Sequence, residues 1–268
     1  MSVGALIFAF NNEQTNYVQM AAWCAKNIKR HLGLSTAVVT NDVDNPDCSV
    51  FEKVILAESE CGGTRYFEDY AESVTWYNAG RTDAYSLSPW DQTLVLDADY
   101  VVASDQLATV LSSQQDFLCY RSASSIDQNN DFSNGNNWFG NPAIPIAWAT
   151  VMMFRKSPHA RHIFDCMNMI KQHWSHYREL YGIDRTTYRN DYALSIALNI
   201  VSGHTLQTNY IQGNLISTMP AHKFSKLGED RYRVDYVNKE GQSRWTQTKN
   251  IDLHVMGKKD LEAIIATN

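Results

Sequence analysis

Two aspartates one residue apart, Asp97 and Asp99, close the apolar run 93–96 of this 268-residue chain. A carboxylate pair at the end of a buried strand is a compact way to hold a divalent cation. Residues i and i+2 of an extended segment point to the same side, so the two side chains can converge on one ion. Carboxylate oxygens suit Mg²⁺ or Mn²⁺, which keep coordination positions open for substrate phosphates. An ordinary solvated turn is spelled the same way, so these three residues alone leave both readings open.

Such residues need elements to hold them. Residues 3–10 are continuously apolar, as expected for a strand covered on both faces. After a polar loop, Val18, Ala21, Ala25, Ile28 and Leu32 repeat at helical spacing over 17–32, and Gly33 stops the helix. A second apolar strand over 36–40 runs into Asn41 and Asp42. Strand, helix, strand is the opening of an α/β sheet. Ligands of such sheets bind beyond the carboxyl ends of the strands, which puts Asn11, Asn12, Thr40 and Asn41 on the ligand side.

The run 93–96 is a third strand, and the apolar pattern resumes at 100–102. A further strand is expected over 147–154. Ser157 and Pro158 then start a helix in which Ile163, Met167, Ile170, Trp174, Tyr177 and Tyr181 repeat at intervals of three and four. A shorter apolar helix covers 191–201. No internal repeat and no Pro/Ser-rich linker divides the chain, so one continuous fold is expected over 1–268.

Composition narrows the classes. At 44% hydrophobic and 12% aromatic residues the chain is too apolar for disorder. Its net charge of −6 offers no global basic field, so a nucleic-acid partner would need a local patch. The five cysteines include no Cys-x-x-Cys, which fits a reducing compartment. Residues 3–10 lack a basic n-region and a cleavage site, and no apolar stretch reaches the roughly 18 residues of a membrane span. A soluble, cytoplasmic protein without a membrane span is the expectation.

Residues 81–102, RTDAYSLSPWDQTLVLDADYVV, resemble the segment of GT-A-fold glycosyltransferases, in particular the glycogenin-like retaining family, that ends in its metal-binding LDAD motif. The resemblance implies an α/β, GT-A-like (Rossmann-like) mixed sheet flanked by helices. It further implies a single domain, with a nucleotide-sugar half over 1–105 and an acceptor half over 106–268 that carries a C-terminal metal and phosphate element. In that family a basic residue sixteen positions before the first aspartate contacts the sugar nucleotide. Arg81 stands at this interval, a planar fork where the family has the point charge of Lys.

Residues 9–32, followed by TAVVTND, resemble the family's nucleotide-binding opening. Tyr17 matches its base-stacking aromatic, or packs against its own helix as a first-turn aromatic. Residues 252–258, DLHVMGK, resemble the His-x-x-Gly-x-x-Lys element. This implies that His254 completes the metal site with Asp97 and Asp99. It also implies that Gly257 and Lys258 hold the diphosphate, beside a donor contact at Ala98. Lys258 and Lys259 come one or two places early, so which of them reaches phosphate stays open.

Residues 147–157 resemble the strand before the acceptor helix, with Trp148 and Thr150 where the family has Asn and Gly. Asn190 and Asp191 resemble an Asp-Gln pair beside the reacting sugar, or cap the helix they open. Asp191 and Arg81 are the catalytic candidates.

The implied activity is metal-dependent transfer of a sugar, a hexose or a pentose, from a nucleotide-diphosphate sugar to a hydroxyl acceptor with retention. The cofactor is Mn²⁺ or Mg²⁺, the imidazole favouring Mn²⁺. The acceptor stays open among a saccharide, a protein and a modified DNA base. The Asn-rich stretch 127–141, with Trp138 and Phe139, reads as an acceptor lid or as a surface loop. The helix 157–181 carries His159, Arg161, His162, Lys171, His173, His176 and Arg178, either a basic face for a phosphate-bearing acceptor or a solvated face.

The chain as a whole also resembles proteins encoded by tailed bacteriophages, which implies a hydroxymethylated base of phage DNA as the alternative acceptor and the host cytoplasm as the location. Outside this class stand a nucleotidyltransferase using the same two aspartates, which would lack a Gly-rich phosphate loop, and a non-catalytic nucleotide-sugar-binding module. Nothing in the sequence sets the oligomeric state.

Overall fold

The computed structural model describes residues 1–58, 63–67, 72–127, 138–184, 186–205 and 210–267. Strand β1 (Val3–Phe8) leads into helix α1 (Tyr17–Leu32). The Asn16 side chain caps α1 by accepting the Gln19 N–H at 3.0 Å. Gly33 ends it in the left-handed region at φ 69°. The first strand stops at Phe8 rather than at residue 10. Ala9 still donates its N–H to the Val39 carbonyl, but the chain then leaves the sheet for the loop before α1.

Next come β2 (Ser35–Thr40), β3 (Lys53–Leu56) and an antiparallel hairpin of β4 (Gly63–Phe67) and β5 (Glu72–Trp76). A 3₁₀ helix over Asn78–Asp83 runs into α2 (Ala84–Leu87), β6 (Gln92–Asp97) and β7 (Tyr100–Val101). The chain continues through α3 (Gln106–Leu111), β8 (Phe117–Tyr120), β9 (Ser122–Ser125), β10 (Trp138–Phe139), β11 (Ile144–Pro145) and β12 (Trp148–Arg155). It ends through α4 (Pro158–Gln172), α5 (Trp174–Leu180), α6 (Asn190–Val201), β13 (Asn214–Ser217), β14 (Lys223–Gly228), β15 (Arg231–Val237), β16 (Ser243–Lys249), β17 (Leu253–His254) and α7 (Lys258–Ala266).

The main sheet has the order β3-β2-β1-β6-β12-β8. β3, β2, β1 and β6 are parallel, while β12 runs antiparallel to both β6 and β8. The result is a mixed sheet flanked by helices. Its strands alternate strictly between two cores, as the two-residue period of a strand requires. Ala5, Ile7, Leu94, Leu96, Val151 and Met153 face one core together with α1 and α7. Leu6, Phe8, Val95, Met152 and Phe154 face the other, with α4 and α6. A second sheet, in the order β7-β17-β13-β9, continues the first core beyond the end of β6.

Gly4 marks a close approach. A Cβ built there would lie 2.2 Å from the ring of the buried Trp90, so the indole packs directly on the backbone of β1.

The expected helix 157–181 is two helices. Ser157 caps α4 as read, accepting the Ala160 N–H at 3.1 Å. His173, at φ −114° and ψ 34°, then breaks the run. The break lets Trp174 turn inward, where its Nε1–H donates to the Thr186 carbonyl at 2.7 Å and its ring packs edge-on to Tyr188 and flat on Tyr192. The cations expected on this helix occupy mostly exposed positions around its apolar stripe. Of the Asn-rich stretch 127–141, residues 128–137 lie outside the described residues, as does Cys61; the other four cysteines are buried and free. No helix among the described residues is long and apolar enough to cross a membrane.

Candidate metal and donor site

Asp97 is the last residue of β6, and Asp99 lies in the turn that joins β6 to β7. The alternation of an extended strand is therefore not what brings the two carboxylates together. The tight turn does so, and a third partner arrives through a strand pairing distant in sequence. β17 runs antiparallel to β7, with His254 opposite Tyr100, and the Val255 N–H donates to the Asp99 carbonyl at 3.0 Å. Ligand atoms of Asp97, Asp99 and His254 then lie within 4.8 Å of one another. His254 Nε2 stands 3.8 Å from Asp97 Oδ2 and 3.4 Å from Asp99 Oδ2.

Two cations close the cluster. Arg81, on the 3₁₀ helix, pairs with Asp97 and donates its other terminal nitrogen to the Ala149 carbonyl at 2.8 Å. Its Nε is buried and has no hydrogen-bond partner among the described residues. Lys258, the first residue of α7, pairs with Asp99 and donates to the Val255 carbonyl at 3.2 Å. Burial by itself would raise the Asp99 pKa, but the Lys258 ammonium, with His254 next, outweighs it and holds this carboxyl well below the usual range. Lys259 points to solvent, so of the two lysines it is Lys258 that enters the site.

Several residues that the motifs did not flag hold this arrangement in place. Ser217 Oγ faces His254 Nδ1 at 3.4 Å, which leaves Nε2 toward the carboxylates. The parallel pairing of β13 with β17 sets Ser217 against His254, and the Thr218 hydroxyl accepts the Met256 N–H at 3.1 Å. Asp252 accepts the Ala103 N–H at 2.8 Å and the Ser104 hydroxyl at 2.9 Å, fastening the lead-in to β17 onto the segment after β7. Burial raises the Asp252 pKa against those two hydrogen bonds. Ser217 has no local signal, because its partner is 37 residues away. Asp252 could have been found as the acidic neighbour of His254.

The other candidates divide. Asp191 does not cap α6, whose cap position is Arg189 without a side-chain bond. Asp191 lies in the first turn, accepting the Ala149 N–H at 2.9 Å and an Arg189 N–H at 3.1 Å. The backbone of Ala149 thus joins Asp191, on its N–H, to Arg81, on its carbonyl, and so to Asp97. Asn190 is buried and accepts the Tyr188 hydroxyl at 3.2 Å.

At the other edge, Asn11 accepts the Val18 N–H at 3.0 Å and donates to Asp42 at 2.9 Å, while Asn12 accepts the N–H groups of Gln14 and Thr15. Thr40 is fully buried and its hydroxyl accepts the Asp42 N–H at 3.1 Å, so these three side chains shape the loops beyond β1 and β2. Tyr17 is half-buried against the first core. Ala98 is buried in the turn. Gly257 has φ −76°, and a Cβ there would lie 3.7 Å from the His222 carbonyl, so the described protein itself does not require a glycine at this point.

No protein-family model matches the sequence, and no curated protein does. Among solved structures, the glycosyltransferase GlyE of Streptococcus pneumoniae TIGR4 is similar over 79% of this chain and 46% of its own, at 13% identity and a TM-score of 0.45. The galactosyltransferase LgtC, in complex with donor and acceptor sugar analogs, is similar over 74% of this chain and 70% of its own, at 14% identity and a TM-score of 0.45. The chain thus spans about half the length of the GlyE chain it matches.

The donor set of two carboxylates and one imidazole fits a divalent metal of the Mn²⁺ or Mg²⁺ kind and leaves positions open for other ligands. With a divalent cation held there, the set together with Arg81 and Lys258 would carry net positive charge able to balance an anionic ligand brought to it.

Proposed function

We propose that this chain is a metal-dependent glycosyltransferase of the GT-A type, moving a sugar from a nucleotide-diphosphate sugar to a hydroxyl acceptor with retention of configuration. The observation that carries the reading is the convergence of Asp97, Asp99 and His254 from two sheets, with Lys258 and Arg81 against the carboxylates. The LDAD segment and the arrival of His254 and Lys258 from the C-terminal element support it.

Breaking the bond between the anomeric carbon and the diphosphate moves negative charge onto the leaving oxygens, and stabilising that charge is the main electrostatic task. A divalent cation held by Asp97, Asp99 and His254 would supply Lewis-acid charge to the diphosphate. Lys258 stands beside this position at the start of α7 and is the chain's own cation for the same oxygens. Arg81, held by Asp97 and Ala149, orients the Asp97 carboxylate. Asp191 fixes the Ala149 N–H, and with it the stretch of β12 whose carbonyl meets Arg81. Gly257 leaves the space beside Lys258 clear of a side chain.

The test is binding and transfer together. Differential scanning fluorimetry of the wild type against nucleotide sugars should show a shift only when Mn²⁺ or Mg²⁺ is present; at 100 times its dissociation constant a ligand adds about 2.7 kcal/mol. Asp97→Asn and Asp99→Asn should lose that shift and the transfer while keeping a folded circular dichroism spectrum. Metal-independent binding, or unchanged transfer in both variants, would sink the proposal. Release of pyrophosphate from a nucleoside triphosphate would point to a nucleotidyltransferase in its place.

A further inference from the structure

The three-stranded sheet β14-β15-β16 takes no part in the site described above. Its inner residues Phe224, Tyr232, Val234 and Thr248 are buried, the first three in the core that also holds α1 and α7. Cross-strand partners share a face. On the outer face the register aligns Lys223 with Asp235 and Trp245, Ser225 with Arg233 and Gln247, Arg231 with Lys249, and Val237 with Ser243. Four cations and one carboxylate therefore share this face.

The whole segment 223–249 holds seven Lys or Arg against four Asp or Glu, in a chain of net charge −6. Two of those four acids, Glu229 and Asp230, turn away at the hairpin end to pair with Arg30. This sheet is therefore a basic patch in an acidic chain. Trp245 is 58% exposed, with the Arg233 guanidinium 5.0 Å above its ring, and Val237 is 61% exposed beside it. Leu227, at the register shift between Lys226 and Gly228, is 48% exposed.

We propose that the outer face of this sheet docks the protein peripherally on an anionic lipid bilayer. The charge is complementary to acidic headgroups, and each Lys or Arg close to such a surface strengthens the association about fivefold. Exposed aliphatic side chains add nothing to contacts with phosphates or bases, whereas at headgroup depth they gain an apolar medium, and tryptophan favours that depth. The surface is an open sheet, suited to a flat partner. The inference is independent of the reading of the metal site.

Sedimentation of the full chain with phosphatidylcholine vesicles, with and without phosphatidylglycerol, tests it. The protein should co-sediment only with the acidic vesicles, and less as salt is raised. Arg231→Ser with Lys249→Ser should weaken the partition by about 25-fold, two cations at about fivefold each. Trp245→Ser should weaken it at unchanged charge, and Arg161→Ser on α4 should leave it unaltered. The proposal is overturned by equal binding to neutral vesicles, by no binding, by indifference to Trp245→Ser, or by binding of a single-stranded oligonucleotide in preference to the vesicles. Unfolding midpoints of the variants separate a lost surface from a lost fold.

Discussion

Lys258 and Asp99 form an ion pair taken almost wholly out of water, and its consequence can be measured as a function of pH. The folded carboxyl titrates below its ordinary value, so its contribution to stability is complete above the unfolded pKa of about 3.9 and is lost as pH falls toward the folded one. Lys258→Met removes the main stabilising charge and leaves the desolvation, which moves the Asp99 pKa upward. In chelator-treated protein this substitution should cost about 3 kcal/mol near neutral pH. The gap between wild type and variant should narrow as pH is lowered, because protonation removes the advantage of the one and the burden of the other. A denaturant series across pH checks this, and a gap that stays constant would separate the pair from the titration of Asp99. Ser217 offers the complementary case of a neutral neighbour. Ser217→Ala removes the group facing His254 Nδ1 and should lower Mn²⁺ affinity about tenfold with little change in unfolding midpoint. Equal affinities in an electron paramagnetic resonance titration would leave Ser217 without a role in orienting the imidazole.

Single elements carry their own constraints, and β1 shows the tightest. Gly4→Ala drives a methyl group into the Trp90 ring and should destabilise by about 2 kcal/mol, while Gly4→Ala in a Trp90→Leu background should cost much less. Urea unfolding of the four proteins gives the coupling; additive losses would mean that the backbone moves instead of the ring. The elements legible in the sequence were those whose signals are local. Asn16 and Gly33 bracket α1 as spacing and capping demand, and the apolar runs of β1, β2, β6 and β12 are buried on both faces. What escaped was carried by long-range pairing. β17 has two residues and no periodicity, yet its pairing with β7 brings His254 to the aspartates. The β14-β15-β16 sheet buries only its inner face, so its strands alternate between apolar and polar positions, and β16 is largely exposed, which left no apolar run to read. The resemblance to a family element picked out His254 where periodicity could not.

Across the whole molecule, the cluster joins parts of the chain that only the fold makes neighbours. Asp97 ends a strand of the parallel half, Arg81 comes from the 3₁₀ helix before it, and Asp191 starts a helix on the opposite core. The backbone of Ala149 links Arg81 and Asp191, one holding its carbonyl and the other its N–H, groups of the two successive peptides that flank its Cα. The motifs pointed to Arg81 and Asp191 as two separate groups, whereas the fold makes them one chain of contacts ending at the Asp97 carboxylate. This predicts non-additivity. Asp191→Ala leaves the Ala149 N–H without its carboxylate, at a cost of about 1 to 3 kcal/mol if it stays buried. Arg81→Met frees Asp97 from its guanidinium. If the backbone of Ala149 transmits the constraint, the double variant should lose less stability and less Mn²⁺ affinity than the sum of the single losses, with a coupling of about 1 kcal/mol. A double-mutant cycle read by both denaturation and metal titration decides it. Coupling in stability without coupling in metal affinity would restrict Asp191 to holding β12, and coupling in both makes Asp191 a positioning residue for Asp97, acting through the backbone of Ala149, whose N–H it holds while Arg81 holds the carbonyl.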